Sequence, residues 1–142
     1  MHPLTVPLDT ETLRSTISVW SDLTLSAPSL RTILFIPLFV LASGIQHDCH
    51  VYLASLPKYT LPTHPIFQNL ICPHYTVECL IYLSMAFLAA PEGAWINRTI
   101  LAGLVFVSVN LGVTASTSKE WYENRFGKDK VSGRWKMIPL IF

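Results

Sequence analysis

The chain has 142 residues, of which 51% are hydrophobic and only 13% charged, with a net charge of +1 and a mean hydropathy of +0.42. A soluble domain carries about 25% charged residues, so the balance points into a membrane, and the lack of a basic stripe interleaved with aromatics excludes nucleic-acid binding. Cys49, Cys72 and Cys79 are odd in number and form no CxxC pair, which argues against a disulfide framework and a zinc knuckle and leaves ordinary reduced thiols.

Residues 1–30 form a separate amino-terminal segment, poorly ordered or lying at the membrane interface. Met1 to Pro28 lacks the basic-then-apolar pattern of a signal peptide, and Asp9-Thr10-Glu11 could start a short amphipathic helix on the membrane surface, with too few apolar positions to prefer this over a disordered tail. Residues 31–142 make up the membrane domain. Its first apolar segment, Thr32 to Leu56, lies between Arg31 and Lys58 and reads as a crossing helix in which Pro37 is tolerated with a kink. The second half of this segment carries His47, Asp48 and His50. Two histidines three apart share a helix face and could offer metal ligands. Metal enzymes of that kind need several such boxes, however, and His64 and His74 follow at unrelated spacings. No metal site is expected, and the pair reads instead as interfacial groups free to bind a polar ligand.

Leu56 to Pro73 is broken by Pro57, Pro62, Pro65 and Pro73 and is expected to be a shallow re-entrant loop. Helical character resumes from Thr76 to Ala90, with Glu78 in the first turn, where the helix dipole favours a carboxylate. Glu78 is either a helix-start charge at the membrane surface or an acceptor for a ligand amide or hydroxyl. Thr99 to Ser118 is then uncharged throughout, fenced by Arg98 and Lys119, and about 20 apolar residues are what a bilayer crossing needs. Asn110 sits near its middle with Thr114 and Thr117 on the same stripe, which should face protein or ligand. Asn110 is equally interhelical glue or a cofactor contact on this ground. The tail from Lys119 to Phe142 mixes Trp121, Tyr122, Phe126 and Trp135 with six cations. It suits a flat, phosphorylated ligand or, on composition alone and more commonly, an interfacial anchor on acidic lipid headgroups.

The fold expected is an all-α, polytopic membrane helix bundle of about three transmembrane helices, with the re-entrant loop and an amphipathic carboxy-terminal tail. Three crossings place seven of the ten Lys and Arg residues on the side of the tail. The positive-inside rule makes that side cytosolic. The sequon Asn97-Arg98-Thr99 then falls on the luminal side, too close to the bilayer to be used.

Five blocks in fixed order carry a family resemblance: His47-x-x-His50-x-x-Leu53-x-x-Leu56; Pro73-His74-Tyr75-x-x-Glu78-x-x-x-Tyr82; Asn110; Trp121-Tyr122-x-x-x-Phe126; and Arg134-x-x-x-x-Pro139-x-x-Phe142. Over Ile33 to Phe142 the chain resembles the carboxy-terminal domain of the steroid 5-alpha-reductase family, and within it the polyprenol reductase branch. The resemblance implies an endoplasmic-reticulum membrane enzyme that uses NADPH to reduce an activated carbon–carbon double bond. For that branch the substrate is the alpha-isoprene unit of a polyprenol or polyprenal, leading to dolichol for protein glycosylation. It places His50, His74, Tyr75, Glu78, Asn110, Tyr122 and Arg134 around the cofactor and assigns no catalytic residue. Asn110 and Glu78 can pair with a carboxamide, and Arg134 suits phosphate. The chain departs from the family at Pro57, where a basic residue is common, and by an extra residue within Gly127 to Lys130. Family members are also much longer, and their amino-terminal helices polarise the substrate. The expectation is therefore the cofactor half of a reductase lacking its amino-terminal half, either an incomplete gene product or a protein that lost its chemistry, with little reduction by the isolated chain. His64-Pro65 and Arg125-Phe126-Gly127 echo a rival, the isoprenylcysteine-type membrane methyltransferases, and a non-enzymatic membrane protein is the third reading.

Overall fold

A computed structural model of the chain describes residues 27–142. The expectations for residues 1–26, including the helix start at Asp9, lie outside the described residues. Five helices follow in order: α1 (Leu30–Ser55), α2 (Pro65–Gln68), α3 (Pro73–Leu88), α4 (Arg98–Phe126) and α5 (Lys128–Val131). Among the described residues there is no strand, only an isolated parallel bridge between Leu70 and Trp135. The all-α architecture is the one expected.

α1 starts at a serine cap, Ser29 Oγ accepting from the Thr32 amide at 3.2 Å, and runs unbroken through Pro37. It stops at Leu56, whose extended backbone is what the following Pro57 imposes. α4 starts at Asn97, whose side-chain oxygen accepts from the amides of Thr99 and Ile100 at 3.0 and 3.2 Å. Its Nδ2 also donates to the Ala89 carbonyl at 2.9 Å, so the asparagine of the sequon is committed as a cap. α1 and α4, of 26 and 29 residues, are long and apolar enough to cross a bilayer, and only 6% of each one's apolar window is buried. That low burial separates them from core helices of a soluble protein. Their outer faces, from Leu34, Val40 and Leu41 on α1 to Phe106 and Val113 on α4, are exposed apolar surface suited to lipid.

Between them lies α3, against which both pack. It has 16 residues, about 24 Å of helix, so among the described residues two rather than three helices reach full crossing length. α3 also starts at Pro73, not Thr76. Proline lacks the amide that a first helical turn leaves unpaired, and Pro73 therefore opens the helix it was expected to precede. Glu78 is displaced into the second turn, and its reading as a helix-start charge falls. Small residues allow the close approach of the helices: Ser84 and Ala86 on α3 and Ala115 on α4 are fully buried. Cys79 Sγ and Ser108 Oγ are 3.3 Å apart across the α3–α4 contact. At the other end, Phe35 stacks on Phe87 at 4.2 Å, and Arg31 donates to the carbonyls of Ala90 and Ala94 at 3.3 and 2.8 Å.

Two further expectations change. The stripe through Asn110 does not continue as a ligand-facing surface, because Thr114 and Thr117 are exposed and donate to the carbonyls of Asn110 and Val113 at 3.0 and 3.2 Å. A threonine that bonds back one turn satisfies its own hydroxyl and tolerates lipid. The tail, moreover, is not a free amphipathic anchor. Its first residues, through Phe126, extend α4, which stops at Gly127 in a conformation (φ +93°) suited to glycine. The remainder folds back on the proline-rich loop: Ile71 and Cys72 donate to the carbonyls of Trp135 and Lys136 at 2.8 and 3.0 Å, and Trp135 donates to Asn69 at 2.8 Å. Val131 and Met137 complete a buried cluster with Ile71, Cys72 and Ala115. Phe142 lies against α4, its ring 3.5 Å from where a side chain on Gly112 would begin.

Candidate functional site

Several polar residues of α1, α3 and α4 converge where these helices come together. α1 and α4 flank α3, and between them opens a cavity of about 310 Å³ lined by Gln46 and His50 of α1, His74, Tyr75 and Glu78 of α3, and Val107, Asn110 and Leu111 of α4. Helical spacing makes this possible: Gln46 and His50 are four apart, as are His74 and Glu78, so each helix presents two polar groups on one face. His50 meets His74 edge-on at 5.3 Å between ring centroids, and Tyr75 also meets His74 edge-on, at 4.3 Å. Gln46 Nε2 donates to Glu78 Oε2. No hydrogen bond among the described residues engages the Asn110 amide.

His74 stands out electrostatically. It is 9% exposed, and its Nδ1 is buried without a hydrogen-bond partner among the described residues. Such an atom is costly unless a ligand or water completes it. The cavity lining therefore holds one acceptor charge (Glu78), the amides of Gln46 and Asn110, and the ring of His74, whose buried Nδ1 is unmet. That donor set fits a carboxamide-bearing ring. A larger cavity, about 510 Å³, lies between the start of α1 and the end of α3. Arg31 is its one charged group and is already engaged by two backbone carbonyls. Convergent polar groups, not size, single out the smaller one.

Five of the seven residues expected around a cofactor, His50, His74, Tyr75, Glu78 and Asn110, thus line one cavity. Tyr122 does not join them. It lines a second cavity of about 400 Å³ with Leu53, Leu56, Lys58, Tyr59 and Trp121, though Tyr75 and Tyr122 pack against the same buried cluster. Arg134 lines neither; its Nη1 donates to the Pro62 carbonyl at 2.9 Å, and its own carbonyl accepts from Lys119 Nζ at 2.7 Å. Arg134 therefore clamps the tail to the loop. Beside the second cavity, Arg125 lies 5.9 Å from the Tyr59 ring centroid, and Tyr59 has a φ of +66°, rare for a bulky residue. Backbone strain of this kind collects at ligand sites.

Sequence reasoning missed Gln46 and Tyr59. Gln46 was legible in its four-residue spacing to His50, which the HxxH reading obscured; the φ of Tyr59 leaves no sequence signal. Two residues of the motifs that echoed the methyltransferases have structural roles. His64 Nδ1 accepts from the Ile66 amide at 3.4 Å at the start of α2, and Gly127 ends α4.

A family model described as 3-oxo-5-alpha-steroid 4-dehydrogenase matches residues 17–142. Among curated proteins, the polyprenal reductase of Saccharomyces cerevisiae is 35% identical over 104 residues, covering 73% of this chain and 38% of its own. The polyprenal reductase of Xenopus laevis is 32% identical over 120 residues, covering 78% and 36%. Polyprenal reductase 1 of Oryza sativa subsp. indica is 33% identical over 110 residues, covering 73% and 30%. The matched region thus spans only 30–38% of the length of these relatives. No solved structure matches the chain. A family match over nearly the whole chain agrees with the five-block pattern, and the chain belongs to the 3-oxo-5-alpha-steroid 4-dehydrogenase family, the steroid 5-alpha-reductases.

Proposed function

We propose that this chain carries the NADPH-binding groove of an endoplasmic-reticulum membrane reductase that reduces the alpha-isoprene double bond of polyprenal towards dolichol, with its carboxy terminus in the cytosol. One observation carries the reading: Gln46, His50, His74, Glu78 and Asn110 converge on one cavity between otherwise apolar helices. Intramembrane polar groups are expensive in lipid, and they are retained where they serve a ligand or a pathway. The names of the relatives supply the substrate class.

NADPH, when bound, supplies the hydride. This chain's residues would hold its nicotinamide end: Glu78 accepting from the carboxamide N–H, Asn110 donating to the carboxamide oxygen, and His74 Nδ1 gaining the partner it lacks. Tyr59 and Trp121, with ring centroids 6.0 Å apart, and the adjacent Lys58 and Arg125 suit the nucleotide end. The apolar outer faces of α1 and α4 keep the lipid substrate within reach.

Titration of the detergent-solubilised protein with NADPH, followed by nicotinamide fluorescence, tests the reading. Saturable binding is expected, weakened about 10-fold in Glu78→Gln, and S-adenosylmethionine should not compete. Binding of S-adenosylmethionine in place of NADPH would turn the assignment to the methyltransferases; binding of neither would leave a membrane protein without this chemistry. Protease treatment of sealed microsomes should remove the tail, and its protection would invert the orientation.

A further inference from the structure

We propose that Gln46 is a positioning residue: it fixes the Glu78 carboxylate so that one oxygen is held by the protein and the other is presented to the carboxamide N–H of a nicotinamide. This rests on the NADPH reading above and deepens it. Gln46 is half-buried on α1, directly across the cavity wall from α3, and its Nε2 donates to Glu78 Oε2. Both residues line the cavity that Asn110 closes from α4.

The choice of glutamine has a chemical reason. A carboxylate among apolar helices needs a hydrogen-bond donor. Lysine or arginine there would neutralise Glu78 and compete with the ligand for both oxygens. Glutamine donates one bond, remains neutral and keeps its own carbonyl free. Glu78 Oε1 is then left as an oriented acceptor, opposite the Asn110 amide that can donate. The pair forms a complementary edge for a primary carboxamide, which must both donate and accept. Gln46 itself acts through Glu78 and touches no reacting atom.

The test compares three ligands on wild type and Gln46→Leu in detergent: NADPH, its 3-acetylpyridine analogue, and adenosine 2′,5′-bisphosphate. The analogue has a methyl group in place of the amide nitrogen and so has no N–H for Glu78. Gln46→Leu should weaken NADPH about 10-fold, as for one charge-assisted hydrogen bond, while changing the analogue and the bisphosphate less than about 2-fold. The loss should vanish in a Glu78→Gln background, where no carboxylate remains to be oriented. Bisphosphate binding reports that the variant is folded; if Gln46→Leu loses it, Gln46→Met, which keeps the unbranched stem, carries the same comparison. Equal weakening of NADPH and the analogue, or no weakening of either, overturns the positioning role while leaving the cofactor reading intact. Wild-type protein that binds the bisphosphate but does not prefer NADPH to the analogue overturns both.

Discussion

Replacing His74 with phenylalanine should move stability and cofactor binding in opposite directions. The imidazole is 9% exposed, and Nδ1 has no partner among the described residues; a buried polar atom left in that condition costs about 1–3 kcal/mol. Phenylalanine fills a similar planar space without the polar atoms, and the wall that receives it is already aromatic, with Phe67 at 6.3 Å, His50 at 5.3 Å and Tyr75 at 4.3 Å between ring centroids. We expect the ligand-free protein to gain about 1 kcal/mol, a rise in melting temperature of about 4 °C for a chain of this size. The gain is set at the low end because a ring swap among packed neighbours is never free of strain. NADPH affinity should fall about 10-fold, since the nitrogen proposed to meet the ligand is gone. Thermal unfolding in detergent, with and without NADPH, reads both effects, and His74→Ala serves as a contrast that loses stability through the cavity it opens. If the ligand-free His74→Phe variant melts several degrees lower, Nδ1 is satisfied in solution and the reasoning fails. Unchanged NADPH affinity would remove His74 from the cofactor site.

Arg134→Ala removes the bond that Nη1 donates to the Pro62 carbonyl, so limited proteolysis should show faster cleavage in the loop from Leu56 to Pro73, and any loss of NADPH affinity should follow that loosening rather than a lost direct contact. Asn110→Ala should weaken NADPH without lowering the melting temperature, because no hydrogen bond within the bundle is lost; destabilisation would make it interhelical glue instead. Asn97→Ala removes the cap of α4 and should cost about 1 kcal/mol of stability, and the wild-type sequon should give no glycosidase-sensitive gel shift. Burial pushes the Cys72 thiol from 9.0 up to about 11, Ser118 offsetting part of the effect. The folded state therefore keeps a proton that the unfolded chain releases near pH 9. The corresponding stability is full below that pH and is lost as pH rises towards 11. Cys72 should resist iodoacetamide at pH 8.5 in the folded protein, and wild type should lose melting temperature more steeply than Cys72→Ala between pH 9 and 11.

What can be read from sequence follows how local each determinant is. The starts of α1 and α4 are legible to within two residues because charge ceases at Arg31 and Arg98 and small polar caps precede them. The start of α3 is misplaced because Pro73 reads as a breaker when it occupies the one helical turn that suits proline. Continuation of α4 to Phe126 is missed when the end of apolar composition is equated with the end of the helix, whereas helix propensity in Lys119-Glu120-Trp121 carries on into water. Five of the residues that the resemblance singles out line one cavity, but the resemblance does not separate Arg134 from them. Its position depends on the tail pairing with a loop remote in sequence, a contact that leaves no periodic trace. Tyr122 shows the same limit at the second cavity.

That pairing also bears on the order in which the protein is made. The parallel bridge joins Leu70 to Trp135, with all of α3 and α4 synthesised between them. Contacts so distant in sequence form late, because the chain between them must first be closed into a loop. The segment from Leu56 to Pro73 therefore leaves the ribosome and waits through the insertion of α4 before its partner exists. During that interval Ile71 and Cys72 lack Val131 and Met137, the residues that later cover them. The membrane helices can be in place before the loop is sealed, so biogenesis passes through a stage with formed walls and an open face at that end of the bundle. A chaperone or a partner present at that stage would meet a surface that the finished protein hides.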